Sequence, residues 1–411
     1  MLVNIKIIVL FFAILFIRLL ASDSDLIINE GQTIRLTARL ISEPQVLGEK
    51  QSFKINNFEI VSFKYPEFHF GDELLIVGKV KRKSWSFGWI KKETYLLNYP
   101  KIEKIESTGG LSIKAKGFIL EIGKRLKDVY IRNFPRPLDG IIAGVVLGDK
   151  NLISKDFWEK LKTTGTLHIM VASGMNIAMI SEGILSFLSY FLSRRKAILI
   201  LIVLIWLYTI MTGSTPSIVR AAIMASLIYF AQVIGRETGA GRTLFLTAAV
   251  MIIFSPNLLF DLGFELSFMS TAGLVFLSPK LKKIKFFLFR FENFTSSIAS
   301  LIATLPLLFI FFGRLNFLSP FINLIILWTI PYILQLGIAV GVLGLLWTTL
   351  GEMASFLLFP FVYYVKQIID FFAKFSLFQI ELPKMGWWFA LLYYGLLAIL
   401  IKNNRKEAEE E

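Results

Sequence analysis

The chain has 411 residues, of which 55% are hydrophobic and 39 are Phe, and its 44 Lys and Arg exceed its 30 Asp and Glu to give a formal net charge of +14. That apolar share excludes a water-soluble globule of ordinary surface polarity and describes a polytopic α-helical membrane protein. Cysteine is absent and the two histidines, His69 and His168, are far apart in sequence, which excludes disulfides, thiolate chemistry and a zinc hydrolase centre; no metal or other cofactor is expected.

Ile7 to Ala21 is a short apolar run broken by Arg18. It reads as a first transmembrane helix over residues 1–22, with a cleaved signal peptide as the alternative. Residues 23–107 then change to period-two alternation, clearest from Thr33 to Leu40 and repeated at Ser52 to Ile60, Glu73 to Val80 and Thr94 to Ile105. Four or five short strands without helices point to a small β-barrel of the OB type. Within it, Trp85, Phe87 and Trp89 fall on one face of an extended strand, among Lys81, Arg82 and Lys83. Stacking rings beside cations suit a single-stranded nucleic acid, and they equally suit interfacial anchoring to membrane lipid.

Residues 108–165 read as amphipathic, interfacial helices. Phe118, Ile122, Leu126 and Val129 form the apolar side of Ala115 to Tyr130, and Ser154 is an expected N-cap. Residues 166–402 hold the apolar stretches Leu167 to Leu192, Ala197 to Gly235, Leu244 to Leu277, Ser296 to Trp347 and Gly386 to Ile401, followed by a charged tail at 403–411. Divided at Thr212 to Ser217, at Ser255 to Asn257, near Gly313-Arg314 and at Pro331, they give about ten passes, with Phe356 to Phe378 read as a surface helix and a further pass as the alternative. The basic connections Ser193 to Lys196, Gly235 to Arg242 and Lys280 to Lys285 fall on one side, while the turns between them lack Lys and Arg. By the positive-inside rule the N-terminus is cytoplasmic and the β domain extracytoplasmic.

Polar residues in apolar runs mark candidate function, because they face a protein interior or a wet path. The run TGTLHIMVASGMN contains His168, Ser173, Gly174 and Asn176, and Arg220 and Glu265 are ionisable groups in later apolar stretches. Arg220 fits either a headgroup or a phosphate contact, and Glu265 either an ion pair or the lining of a hydrated passage. On a regular helix His168 and Ser173 diverge by about 140°, so an intramembrane serine hydrolase would need a helix break between them. GVVLGDK at Gly144 to Lys150 lacks the spacing of a P-loop.

Four ordered blocks, Leu147 to Ile180, Thr212 to Arg236, Ser255 to Pro279 and Ala303 to Leu327, make the chain resemble the ComEC family of competence proteins. The resemblance covers roughly Leu111 to Ile401. It implies an inner-membrane channel, not an enzyme, for uptake of single-stranded DNA during natural transformation. An extracellular DNA receptor, a cytoplasmic ATP-driven DNA translocase, a separate nuclease and a homo-oligomeric state are the partners and assembly it brings with it. Two departures stand out. Asn176 occupies a place where that family carries a second histidine, and the chain resembles a form without the C-terminal metallo-β-lactamase-like domain. A secondary transporter of a small anion or lipid is the alternative that broken helices with midplane polar groups also allow.

Overall fold

The computed structural model describes residues 29–47, 49–55, 58–87, 90–105, 110–170, 173–284, 286–375, 379–381, 386 and 388–397. The expected first helix at 1–22, Trp89 and the tail at 403–411 lie outside them.

The alternating N-terminal segment folds into seven strands: β1 (Thr33–Arg39), β2 (Gln45–Leu47), β3 (Lys50–Ile55), β4 (Phe58–Phe63), β5 (Glu73–Phe87), β6 (Ile90–Asn98) and β7 (Lys101–Ile105). They form one sheet in the order β1-β5-β6-β4-β3-β2, with β7 also paired to β5. Period-two patterning puts Leu74, Ile76 and Val80 of β5 on the buried side with Phe53, Ile60, Tyr95 and Leu97. The first half of β5 pairs with β1 and β7 and its second half with β6, so this long strand joins two ladders. All pairings are antiparallel except β4 with β6.

Helix α1 (Leu111–Asn133) carries the chain from the sheet into the bundle. Lys116 Nζ donates to Ile41 O at 3.1 Å and lies over the Phe70 ring, and Lys124 Nζ pairs with Glu43 at 3.3 Å. Burial at this joint holds the Lys116 ammonium below its ordinary pKa. The helix is only partly the interfacial element expected. Phe118 is 68% exposed, whereas Leu126, Val129 and Tyr130 are core residues and the Tyr130 hydroxyl donates to Gly337 O at 3.0 Å.

The centre of the bundle is α2 (Leu138–Leu147), all ten residues of which are buried. At 1.5 Å per residue it is about half the length needed to cross a bilayer, so it needs protein on every side. Helix α3 (Lys155–Thr164) follows, capped by Ser154 Oγ accepting from Phe157 N at 3.3 Å as the sequence leads one to expect. Then come α4 (Gly174–Phe191), α5 (Arg194–Met211), α6 (Pro216–Val233), α7 (Ala240–Phe254), α8 (Leu262–Leu281, through a π-turn at Gly273–Leu277) and α9 (Glu292–Phe311). A short ribbon of β8 (Arg314–Asn316) and β9 (Gln379–Glu381) brackets α10 (Ser319–Ile326), α11 (Ile330–Leu346) and α12 (Thr348–Phe372), with α13 (Trp388–Leu397) last.

Among the described residues α6, α8, α9 and α12 are long and apolar enough to span, and α10 with α11, bent by 49°, makes a fifth if they form one broken span. The count of about ten passes therefore includes elements that are shorter or more polar: α7 and α13 are short, α4 carries Asn176 and Glu182, and α5 opens on Arg194, Arg195 and Lys196. The stretch expected to make three passes between Ser296 and Trp347 makes one full helix and a bent pair.

Helix α12 departs most from expectation. It is long and apolar enough to span, and while Phe356 and Leu357 are exposed on one face, Leu358, Val362, Val365 and Ile369 recur at helical spacing on the other and are fully buried in the main core. Lys160 of α3 reaches Asp370 at 3.1 Å, and Lys366 pairs with the same carboxylate at 2.7 Å, so the charges that suggested a surface helix are matched within the bundle. Close packing of α11 against α1 and α2 depends on Gly337, where a Cβ would stand 2.6 Å from Val146 Cγ2.

Candidate functional site

Helix α3 ends at Gly165, in the left-handed conformation, and a 3-10 turn follows at Leu167–Met170 before α4 starts at Gly174. The interruption expected at Ser173-Gly174 is thus present, with Ser173 extended at φ −119°, ψ 171°. A second interruption separates α5 from α6: Gly213 has φ 83° and Ser214 φ 52°, and Pro216 opens α6 at a position that needs no N–H. Gly213, Ser214 and Thr215 are exposed, and Ser173 and Gly174 are half-buried.

The last turn of α2 shows what Asn176 does. Gly148 N bonds Gly144 O and Asp149 N bonds Ala143 O, which closes the helix but leaves the Val145 and Val146 carbonyls without a helical partner in an apolar core. Asn176 Nδ2 donates to Val145 O at 2.7 Å, and the Tyr208 hydroxyl donates to Val146 O at 2.8 Å. Asn176, 2% exposed, is therefore a strut between α4 and α2. Its Oδ1 accepts a 3.3 Å bond from Ser173 Oγ.

Arg220, in the second turn of α6, is 7% exposed, so it does not reach out to headgroups. Its Nη1 donates to Ser267 O on α8 at 2.6 Å, and the guanidinium lies 5.9 Å from the Phe268 ring centroid. Ser267 Oγ donates to Ser217 Oγ at 3.1 Å, tying α8 to the first turn of α6. On the other side of the guanidinium is the amino end of α4, where a Cβ on Gly174 would fall 2.8 Å from Arg220 Nη2. Glycine is what permits this approach. Two interrupted segments, the start of α4 and the first turns of α6, thus meet at one buried cation.

The remaining candidates are dispersed. His168 is exposed, its Nδ1 3.1 Å from Gly165 O, while Ser173 Oγ is engaged with Asn176. Glu265 is half-buried on α8, and among the described residues no ion pair joins it to a cation. In the β domain the register places Lys83 opposite Thr94, Trp85 opposite Lys92 and Phe87 opposite Ile90, at the end of β5 and β6 away from β1. Lys81 and Arg82 are exposed just before that point.

Sequence reasoning missed Tyr208, Ser217 and Ser267. Tyr208 follows Trp206 near the end of an apolar run, where an aromatic belt gives the same pattern, and the two serines carry no periodic signal.

Several apolar helices around a buried polar junction, with a small β domain at the amino-terminal side, define a membrane-embedded protein. A family model described as "Competence protein" matches residues 145–406, a stretch that begins in the last turn of α2, and the chain belongs to that family. Among curated proteins, "ComE operon protein 3" of Bacillus subtilis (strain 168) is 24% identical over 229 residues, which cover 55% of this chain and 29% of that protein. The match thus spans less than a third of the relative's length. No solved structure matches the chain.

Proposed function

We propose that this protein forms a passage for single-stranded DNA through the cytoplasmic membrane during natural transformation. The observation that carries the reading is the meeting of two helix interruptions at Arg220. A strand bears about one phosphate charge per nucleotide, and a low-dielectric slab admits it only along a hydrated, partly cationic lining. Irregular backbone is tolerated at membrane depth where it is buried in protein or lines water, and here it comes with a guanidinium, two serines and exposed Gly213 to Thr215. Membership of the competence-protein family supports the same reading.

The strand order supports an OB-like outer domain, since β3-β4-β6-β5-β1 with β4 and β6 parallel is the path of a five-stranded Greek-key barrel short of its closing pair. In this reading the domain stands outside and receives the strand from an extracellular DNA receptor, with Lys81, Arg82, Lys83, Trp85, Phe87 and Trp89 as the contact face. The passage itself has about ten membrane segments, including shorter ones packed on α2. It uses the work of a cytoplasmic ATP-driven translocase, and a separate nuclease removes the opposite strand.

The test is entry of a fluorescent single-stranded oligonucleotide into proteoliposomes under an imposed pull, such as a single-strand-binding protein trapped in the lumen. Entry that requires the protein and falls steeply with salt is expected. Exclusion of the oligonucleotide, with transport of a small anion or lipid instead, would replace the proposal by the transporter reading.

A further inference from the structure

The junction at Arg220 has an electrostatic peculiarity. A guanidinium 7% exposed would ordinarily be matched by a carboxylate, yet among the described residues no Asp or Glu pairs with it. Among the described residues its compensation consists of one backbone carbonyl, at Ser267, and the face of Phe268, and its buried Nε has no hydrogen-bond partner. The side chain nevertheless presses on a second positive pole. Helix α4 is 18 residues long, its amino end carries the positive end of the helix dipole, and Ser173 supplies no side-chain cap because its hydroxyl is turned to Asn176. Placing a buried cation against that end is repulsive as it stands, and the missing carboxylate makes it more so.

The same geometry becomes favourable once an anion lies beside both poles. Backbone N–H groups at a helix amino end and a planar guanidinium with free donors are the two commonest devices for holding phosphate oxygens. The absent Cβ at Gly174 lets the guanidinium end lie against the start of α4, so that one anion beside them meets both, and Ser217 Oγ lies one turn earlier on α6. We propose that Arg220 and the amino end of α4 at Gly174 form a binding site for a single phosphodiester group, the station at which the passage holds one phosphate of the moving strand. This rests on the passage reading and adds the ligand chemistry to it.

The experiment uses the full chain in nanodiscs, with thermal unfolding followed by tryptophan fluorescence as a readout of ligand binding. The probes are dimethyl phosphate, a ten-nucleotide oligothymidine, and phosphatidylglycerol included in otherwise phosphatidylcholine discs. Both soluble probes are expected to stabilise the protein, with the effect lost in Arg220→Gln and its half-saturation shifted at least about fivefold in Gly174→Ala, whose new methyl displaces the guanidinium end without removing its charge. If Arg220→Gln does not fold, Gly174→Ala and Arg220→Lys carry the test, with weaker but measurable stabilisation expected in both. Equal stabilisation of every variant, or none by any probe, overturns the site. Stabilisation by phosphatidylglycerol alone overturns its role as a strand contact and assigns it to lipid. Oligonucleotide entry through the parent protein, with no stabilisation of that protein by either soluble probe, would sink the site and leave the passage standing. Phosphate binding without entry would do the reverse.

Discussion

Replacing Asn176 by Leu removes one donor from the buried carboxyl end of α2. The Val145 carbonyl loses its 2.7 Å bond from Asn176 Nδ2, and neither water nor the closing bonds of α2 can replace it, because those go to Gly144 and Ala143. Leaving a buried acceptor unpaired costs about 1–3 kcal/mol, roughly a 5- to 150-fold rise in the unfolding constant. Leucine matches the volume, so the cost of a cavity is largely avoided. Ser173→Ala removes only a half-buried 3.3 Å bond and should cost under about 1 kcal/mol. The assay is equilibrium unfolding in mixed micelles, read through the eight tryptophans. An Asn176→Leu protein as stable as the parent would refute the strut. Labelling of the parent protein by a serine-reactive phosphonate, lost in Ser173→Ala, would revive the hydrolase alternative.

Further outcomes follow from the same contacts. Tyr208→Phe should destabilise by a similar amount, about 1–3 kcal/mol, because Val146 O depends on that hydroxyl in the same way. Gly337→Val places a side chain 2.6 Å from Val146 Cγ2 and should cost about 1–3 kcal/mol or more, visible as reduced yield of folded protein on size exclusion. Lys81→Gln should weaken oligonucleotide binding by the full chain and flatten its dependence on log salt by about 0.7, the value for one phosphate contact to a single strand; an unchanged slope removes Lys81 from the interface.

Much of the architecture was open to reading because its signals are local. The alternation of Thr33 to Leu40, the Ser154 cap, and the breaks at Ser173-Gly174 and Gly213 to Pro216 each depend on a few consecutive residues. What escaped depends on partners distant in the chain. The burial of α2 could not be inferred from a ten-residue, mostly apolar segment, since only the packing of α1, α4, α5, α11 and α12 around it makes it the core. Lys366 and Asp370 marked α12 as a surface helix until Lys160, more than two hundred residues away, completed the cluster. Arg220 was legible as an intramembrane ionisable group, but its contact with Gly174 and Ser267 was not.

The natural absence of cysteine allows the water path itself to be probed one position at a time. Single cysteines at Ser173, Ser214 and Ser217, with Val203 on the exposed apolar face of α5 as the lipid-facing control, would be treated with a membrane-impermeant thiol reagent with and without single-stranded DNA. Rapid modification at the three serine positions, slowed by DNA and absent at Val203, is the result this account requires. Unreactive cysteines at Ser173 and Ser217, or reactivity indifferent to DNA, would contradict it.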